Sequence, residues 1–536
     1  MRDGKRLFTS IYQPMDTTRQ YPILMIRTPY GISPYGDDVF PSFLGPNAEF
    51  DEAGYIFVYQ DVRGTHLSEG DFKEMTPHIA EKSSTGETDE SSDTWDTIQW
   101  LLDNIPDHNG KIGQWGISYP GFFAAAGMID HHPALTAVSP QGPIADFWYD
   151  DYHHNGAFFL PHSFEFMYFF GFPRPEPTTR SHPRFRYPDS DGYQFYLDLG
   201  SLSNIDIQYF QGEVSFWNDI IRHPNYDAYW EIRNIVPHLQ NAAPAVLTVG
   251  GWFDAEDLYG PLAIYQSIEE KNPGIFNILV MGPWSHGQWG NSSGQSLGGI
   301  DFGSRTGDYF RENIELPFFE YYLKGEGDMD LSEATMFETG SNAWRRFDEW
   351  PPAAAQETSY YLAADGKLSA SISPELPALW DEYVSNPFNP VPYTDRTFTG
   401  MARDYIIHDQ RFAGERPDVL VYQTNTLDSD VTLAGQVVAD LWVSTSGTSS
   451  DWIVKLIDVF PDSAGSPLDS YQMMVRGEVM RGRFRNSNEY PEPFESGLPT
   501  RVVVRMQDIL HTFRAGHRIM VQIQSSWFPL VDRNPQ

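Results

Sequence analysis

Gly116-Ile117-Ser118-Tyr119-Pro120-Gly121 places a serine between a run that reads as a strand and an alanine-rich run that reads as a helix. A nucleophilic serine needs that place. A sharp strand-to-helix turn lifts Oγ clear of the sheet, and the helix N-terminus offers backbone N–H groups to a developing oxyanion. Gly116 and Gly121 let neighbouring backbone pass close to the turn. Pro120 stands where the general G-x-S-x-G form has glycine; proline is tolerated in a first helical turn, where its missing N–H is not needed. Taken alone, the motif also fits an ordinary serine-containing turn.

A serine nucleophile needs a base and an orienting acid, and on a sheet of this kind they follow in the order Ser, Asp, His. Val249-Gly250-Gly251-Trp252-Phe253-Asp254 sets an acid just past one strand end, and Met281-Gly282-Pro283-Trp284-Ser285-His286 sets a histidine just past the next. Singly, Asp254 could be a helix N-cap and His286 a loop histidine. Three candidates in order, each at a strand end, are hard to assemble by accident. The pairs His131-His132 and His153-His154 invite a metal-ligand reading. Adjacent residues rarely converge on one ion, so structural or surface roles are expected for them.

These residues need a scaffold. Residues 21–30 and 55–62 read as buried strands, 93–102 as an amphipathic helix, 119–129 as a helix and 135–139 as a further strand, with a turn at Asn109-Gly110. Such alternation predicts an α/β architecture with a mostly parallel sheet and helices on both faces. From 146 to 240 the pattern breaks into aromatic, histidine and proline clusters, read as a helical insertion covering one edge of the sheet. The alternation returns at 245–249 and 278–281. Beyond Trp350-Pro351-Pro352, short alternating runs between turn residues predict a β-sandwich. The expected division is 1–145 and 241–352 for the α/β core, 146–240 for the helical cap and 353–536 for the sandwich.

Composition narrows the chemistry. The 536 residues carry 36 Lys+Arg against 73 Asp+Glu, a net charge of −37, which opposes phosphate-rich partners and so nucleic acid or anionic membranes. With no cysteine, disulfides, thiolate catalysis and Cys-based metal sites are excluded. The aromatic-rich cap suggests surface for self-association, so a homo-oligomer is expected. No membrane-length apolar run and no signal-peptide pattern are visible. The chain begins inside what should be the first strand pair and stops at Asn534-Pro535-Gln536. A trimmed chain is therefore expected, and the location is cytoplasmic, or periplasmic or secreted if a leader has been removed.

The motif around Ser118, the loops G-G-W-F-D-A-E-D and G-P-W-S-H-G, R-T-P-Y-G at 27–31, Q-D-V-R-G at 60–64 and the run S-S-W-F-P-L-V-D-R-N-P together resemble the X-Pro dipeptidyl-peptidase/cocaine esterase family of serine hydrolases. Within it, D-A-E-D and D-F-W-Y-D-D look most like the α-amino acid ester hydrolases. The resemblance implies an α/β-hydrolase core, a helical cap and a C-terminal jelly roll, with no metal or organic cofactor. It implies Ser118 as nucleophile, His286 as base and Asp254 as its orienting acid, with the Tyr119 backbone N–H and the Tyr30 hydroxyl as oxyanion donors. It also implies that Asp151, Glu256 and Asp257 hold a substrate α-ammonium group, with Asp150 as the alternative to Asp151. Glu256 and Asp257 could instead be acids of a helix first turn, favoured there by the helix dipole. The implied partners are an amino acid ester or amide and an amine nucleophile. The rival activities are X-Pro dipeptidyl peptidase, glutaryl-cephalosporin acylase and other carboxylesterase; a catalytically inert binding protein is the rival from another class.

Overall fold

The computed structural model describes residues 1–36, 38–372, 380–462 and 467–534. Nine strands make the large sheet: β1 (Thr9–Tyr12), β2 (Tyr21–Thr28), β3 (Ile56–Asp61), β4 (His108–Ile117), β5 (Leu135–Gln141), β6 (Ala245–Gly251), β7 (Asn277–Gly282), β8 (Ala334–Glu338) and β9 (Ala343–Phe347). They lie in the order β1-β3-β2-β4-β5-β6-β7-β8-β9. Strands β2 to β8 pair parallel, and β1 and β9 close the edges antiparallel. Every residue of β6 and β7 is buried, as their continuous apolar runs require when both faces of a sheet are covered.

Helix α1 (Glu90–Asn104) starts on a capping box in which Asp89 accepts the Ser92 N–H and Ser92 Oγ accepts the Asp89 N–H. Helix α2 (Tyr119–Gly127) is buried on every face, and its small residues allow close contact: a Cβ on Gly127 would stand 2.6 Å from Gln114 Oε1. The expected turn at Asn109-Gly110 is corrected by the pairing of β4. Tyr21 faces His108 but Ile23 faces Ile112, so Asn109-Gly110-Lys111 form a bulge inside the strand, with Gly110 at φ 81°.

Between β5 and β6 the chain forms short helices, among them α3 (Leu160–Phe170), α4 (Gly192–Leu199) and α5 (Ser215–Arg222). This segment lies over the carboxyl end of the sheet: the Phe170 ring packs 5.6 Å from Tyr30 and 6.2 Å from Tyr119. His153 stacks on Trp148 at 4.0 Å and His154 on Phe159 at 3.8 Å, which makes both part of the packing beneath it. Helix α6 (Tyr259–Lys271) then joins β6 to β7.

The strands of the C-terminal region are β10 (Tyr361–Ala363), β11 (Lys367–Ser369), β12 (Leu420–Gln423), β13 (Val431–Gly435), β14 (Val438–Val443), β15 (Asp451–Val459), β16 (Gln472–Arg481), β17 (Thr500–Arg505), β18 (Ile509–Phe513) and β19 (Arg518–Gln524). One sheet runs β10-β11-β12-β19-β15-β16, and β13–β18 and β14–β17 form separate antiparallel ladders that share its core. β15 is buried almost throughout, whereas β14 alternates between buried and exposed, as an outer strand does. The segment Trp527–Asp532 leaves this domain and pairs with the chain entering α3. Leu160 N–H donates to Leu530 O (3.0 Å), Asp532 N–H to Phe158 O (2.9 Å) and Phe158 N–H to Asp532 Oδ1 (2.9 Å). Beneath this seam the buried Arg481 guanidinium donates to Asp451 Oδ2 (2.9 Å) and Asp532 Oδ1 (2.8 Å). Pro535, in the run that ends the resemblance, lies outside the described residues. No helix among the described residues is long and apolar enough to cross a membrane.

Candidate active site

Ser118 follows β4 directly at φ 69°, ψ −131°, a backbone conformation that costs a residue with a Cβ on the order of 1–3 kcal/mol. Its neighbours hold it there. Ser118 N–H donates to Gln141 O (2.9 Å), and Phe122 N–H donates to Ser118 O (3.1 Å). A Cβ on Gly116 would fall 2.4 Å from the Pro120 carbonyl, and one on Gly121 would fall 2.8 Å from Gln141 O, so this turn closes only with glycine at both places.

Asp254 and His286 stand past the ends of β6 and β7. The two loops are laced together, with Trp252 N–H donating to Gly282 O (2.8 Å) and Phe253 N–H to Trp284 O (3.0 Å). His286 Nδ1 sits 2.9 Å from Asp254 Oδ2 and 3.1 Å from Oδ1. Asp254 Oδ1 also accepts the N–H groups of Glu256 (2.9 Å) and Asp257 (3.0 Å), so the acid orients the imidazole and caps its own turn at once. From the far side, buried Arg476 of β16 donates to Trp252 O (2.8 Å) and Asp508 O (2.8 Å), a prop for the acid loop supplied by the β domain.

The base loop meets the serine turn: a Cβ on Gly287 would lie 3.5 Å from Ile117, and one on Gly142 would lie 3.5 Å from Asp254 Oδ2. The Ser118 hydroxyl has no hydrogen-bond partner among the described residues, and the carboxylate nearest His286 Nε2 is that of Glu256 at 3.5 Å. In a ligand-free site the serine–histidine contact is commonly loose and tightens when substrate arrives.

Tyr30 and Tyr119 converge on the same turn with ring centroids 6.4 Å apart. Burial, reinforced by Asp151, Asp257, Glu256 and Glu74, pushes the Tyr30 hydroxyl well above its usual range and keeps it a donor. The Tyr119 hydroxyl is engaged elsewhere, accepting Met75 N–H (2.6 Å) and donating to Glu74 Oε2 (3.1 Å). The Tyr119 backbone N–H stands at the first helical position, where no intrahelical acceptor exists. The motifs around 27–31 and 60–64 support this wall. Arg27 donates to Gln60 Oε1 (2.9 Å) and pairs with Glu90 (3.0 Å), while Asp61 accepts from Ile32 N–H (3.1 Å) and the Tyr35 hydroxyl (3.0 Å), fixing the loop after Tyr30.

The acid residues separate by environment. Asp150 is taken up by backbone, its carboxylate accepting the N–H groups of Ala145 (2.8 Å), Asp146 (3.1 Å) and Gly260 (2.8 Å). Asp151 turns inward: Oδ1 meets His162 Nε2 at 2.7 Å, and Oδ2 is buried with no hydrogen-bond partner among the described residues. Both Asp257 carboxylate oxygens are buried and unpartnered in the same sense. Burial, with Asp151, Asp150, Asp254 and Glu256 around it, pushes the Asp257 carboxyl well above the usual range. Burial alone would raise Glu256 too, but the charges of His286, His162 and Arg403 outweigh it and hold Glu256 low. Helix α6 begins only at Tyr259, so Glu256 and Asp257 precede the helix, and the alternative that they are acids of its first turn does not hold. His162, Glu74 and Arg403 were not reached from the sequence, because each belongs to a segment remote in the chain and none carries a local motif.

His286 titrates high. Burial depresses it, but Asp254 and Glu256 more than offset that and raise it to about 9. A base must be neutral to accept a proton, so with an ester lacking an amino group, kcat/KM is expected to climb with pH and level off above about 9. Glu256→Gln removes one raising charge and shifts that limb to lower pH. A limb that stays in place in this variant would show that Glu256 does not act on the base.

A half-buried serine on a strand-to-helix elbow, with a buried His–Asp pair on neighbouring loops, all at the carboxyl ends of a largely parallel sheet, is the working arrangement of α/β-hydrolases, and the chain is a serine hydrolase of that fold. It belongs to the X-Pro dipeptidyl-peptidase (S15) family, whose pattern matches residues 3–288; residues 321–536 match the X-Pro dipeptidyl-peptidase C-terminal non-catalytic domain. The cocaine esterase of Rhodococcus sp. (strain MB1 Bresler) is 30% identical over 100% of this chain and 91% of that protein. A solved aminopeptidase from a marine sediment archaeon (Thaumarchaeota archaeon) is 37% identical, with a TM-score of 0.92 over 100% of this chain and 89% of the other. An α-amino acid ester hydrolase structure is 35% identical, with a TM-score of 0.93 and the same coverage.

Proposed function

We propose that the protein is an α-amino acid ester hydrolase and acyltransferase, acting on esters or amides whose acyl group bears a free α-amino group. The observation that carries this reading is the trio Asp151, Glu256 and Asp257 around His286, in which three carboxyl oxygens, Asp151 Oδ2 and both of Asp257, are buried with no hydrogen-bond partner among the described residues. Buried carboxyl oxygens without donors are costly, and a substrate ammonium group supplies the missing donors and favours the ionised form that burial suppresses in Asp257. An anionic glutaryl side chain would be repelled from the same place, which argues against an acylase of that type. The names of the two solved relatives, an aminopeptidase and an α-amino acid ester hydrolase, support a free amino group on the substrate.

In this reading residues 146–240 are the cap over the acyl pocket. Ser118 Oγ bonds to the acyl carbon while His286 Nε2 takes its proton. The carbonyl oxygen becomes an oxyanion held by the Tyr30 hydroxyl and the Tyr119 N–H. Collapse breaks the bond to the leaving group, which departs with the proton from His286. Water or an amine then attacks the acyl-enzyme, gives its proton to His286, and a second collapse returns that proton to Ser118.

The test is an ester pair with and without an α-amino group. Asp257→Asn and Asp257→Ala remove a charge-assisted contact from a desolvated site, at about 2–5 kcal/mol or roughly 30- to several-thousand-fold in kcat/KM for phenylglycine- or alanine-type esters. The ester without an amino group should change little. Equal losses on both esters would remove the specificity claim and leave the serine hydrolase.

A further inference from the structure

Arg403 stands at the mouth of this site on a loop from the β domain. Its Nε lies 3.3 Å from Glu256 Oε1, while the other oxygen of that carboxylate, Oε2, lies 3.5 Å from His286 Nε2. The guanidinium therefore sits one carboxylate beyond the nitrogen that must hand a proton to the leaving group. The shortest contact to Glu256 is through Nε, Nη1 and Nη2 make no hydrogen bond among the described residues, and the side chain is 62% exposed. The loop beneath it is not slack. The Tyr393 hydroxyl donates to Gly400 O (3.2 Å) and accepts Ala402 N–H (3.1 Å), and Asp404 accepts from Arg396 Nη2 (2.7 Å). Arg403 also reaches the base electrostatically, its charge working against those of Asp254 and Glu256 on His286.

We infer that Arg403 is a specificity-determining residue that receives a carboxylate on the leaving or attacking amine, so that the site favours amides formed between an α-amino acyl group and an amino acid. An amino acid leaving group carries its carboxylate on the carbon next to the departing nitrogen, which directs it outward from His286 Nε2 toward the open fork. Guanidinium and carboxylate then pair through two parallel hydrogen bonds, a geometry a lysine does not reproduce. By microscopic reversibility the same contact orders an amino acid that attacks the acyl-enzyme. This inference rests on the α-amino acyl reading above and adds a second charged contact, made to the amine partner rather than to the acyl group.

The test compares phenylalanyl-glycine with phenylalanyl-glycinamide, which share the acyl group and differ only in the terminal carboxylate, with phenylalanine methyl ester as reference. The protein as it stands is expected to prefer the free acid by at least tenfold in kcat/KM. In Arg403→Ala that ratio falls to about one, and in Arg403→Lys it takes an intermediate value. Because the ratio is taken on one enzyme preparation, a partly misfolded variant does not alter it. A ratio near one in the unmodified protein, or one that survives in Arg403→Ala, overturns the inference and leaves the amino ester reading intact, provided the methyl ester is turned over. Failure to turn over the methyl ester at all overturns both.

Discussion

Ser118→Ala is expected to lower kcat for every ester by about 10⁴- to 10⁶-fold and to abolish the stoichiometric burst of product that an acyl-enzyme gives. The fold should be untouched, since the Ser118 hydroxyl makes no hydrogen bond among the described residues. Ser118→Gly separates chemistry from strain. Glycine reaches φ 69°, ψ −131° without a Cβ penalty, so the same inactivity should come with a gain of roughly 1 kcal/mol in stability. Thermal melts of the two variants beside burst kinetics read both effects. Ester turnover within tenfold of the unmodified protein in either variant would move the nucleophile elsewhere.

The second large effect concerns Arg481, far from the reacting atoms. Its guanidinium compensates Asp451 and Asp532, all three being nearly inaccessible. Arg481→Met leaves two buried carboxylates unpaired, and breaking such a group costs about 3–5 kcal/mol. The loss should loosen the pairing of Leu530 and Asp532 with the entrance to α3, and with it the cap. Urea denaturation should report the stability change, and amide exchange at Phe158 and Leu160 the loosening. A triple variant, Arg481→Met with Asp451→Asn and Asp532→Asn, should recover much of the stability because no buried charge remains. A single-variant loss below about 1 kcal/mol would show that the network is dispensable.

The parallel core was legible because β-rich runs closed by turn residues report burial directly, and the serine, aspartate and histidine candidates each sat where such a run ended. The Asn109-Gly110 turn misled because the same dipeptide that closes a hairpin also permits a bulge, and only pairing with β2 distinguishes them. Asp150 and Asp151 are chemically identical in sequence. Their difference lies in which one meets Ala145, Asp146 and Gly260 backbone and which one meets His162, a matter of side-chain direction in a single wide turn. Arg403 and Arg476 were invisible for another reason. They come from a region read as a separate sandwich, and nothing in an alternating β pattern announces that two of its residues reach into a neighbour's loops.

The seam between Phe158 and Asp532 joins positions 374 apart in the chain. A growing polypeptide leaves the ribosome from its N-terminus, so the turn at Ser118 and the loops of Asp254 and His286 are all made before the segment Trp527–Asp532 that fastens the chain entering α3. Until the intervening β strands have been synthesised and folded, the entrance to α3 lacks its fastening, and the order of manufacture itself separates the making of the Ser118 turn from the anchoring of the helix whose Phe170 packs against Tyr30 and Tyr119.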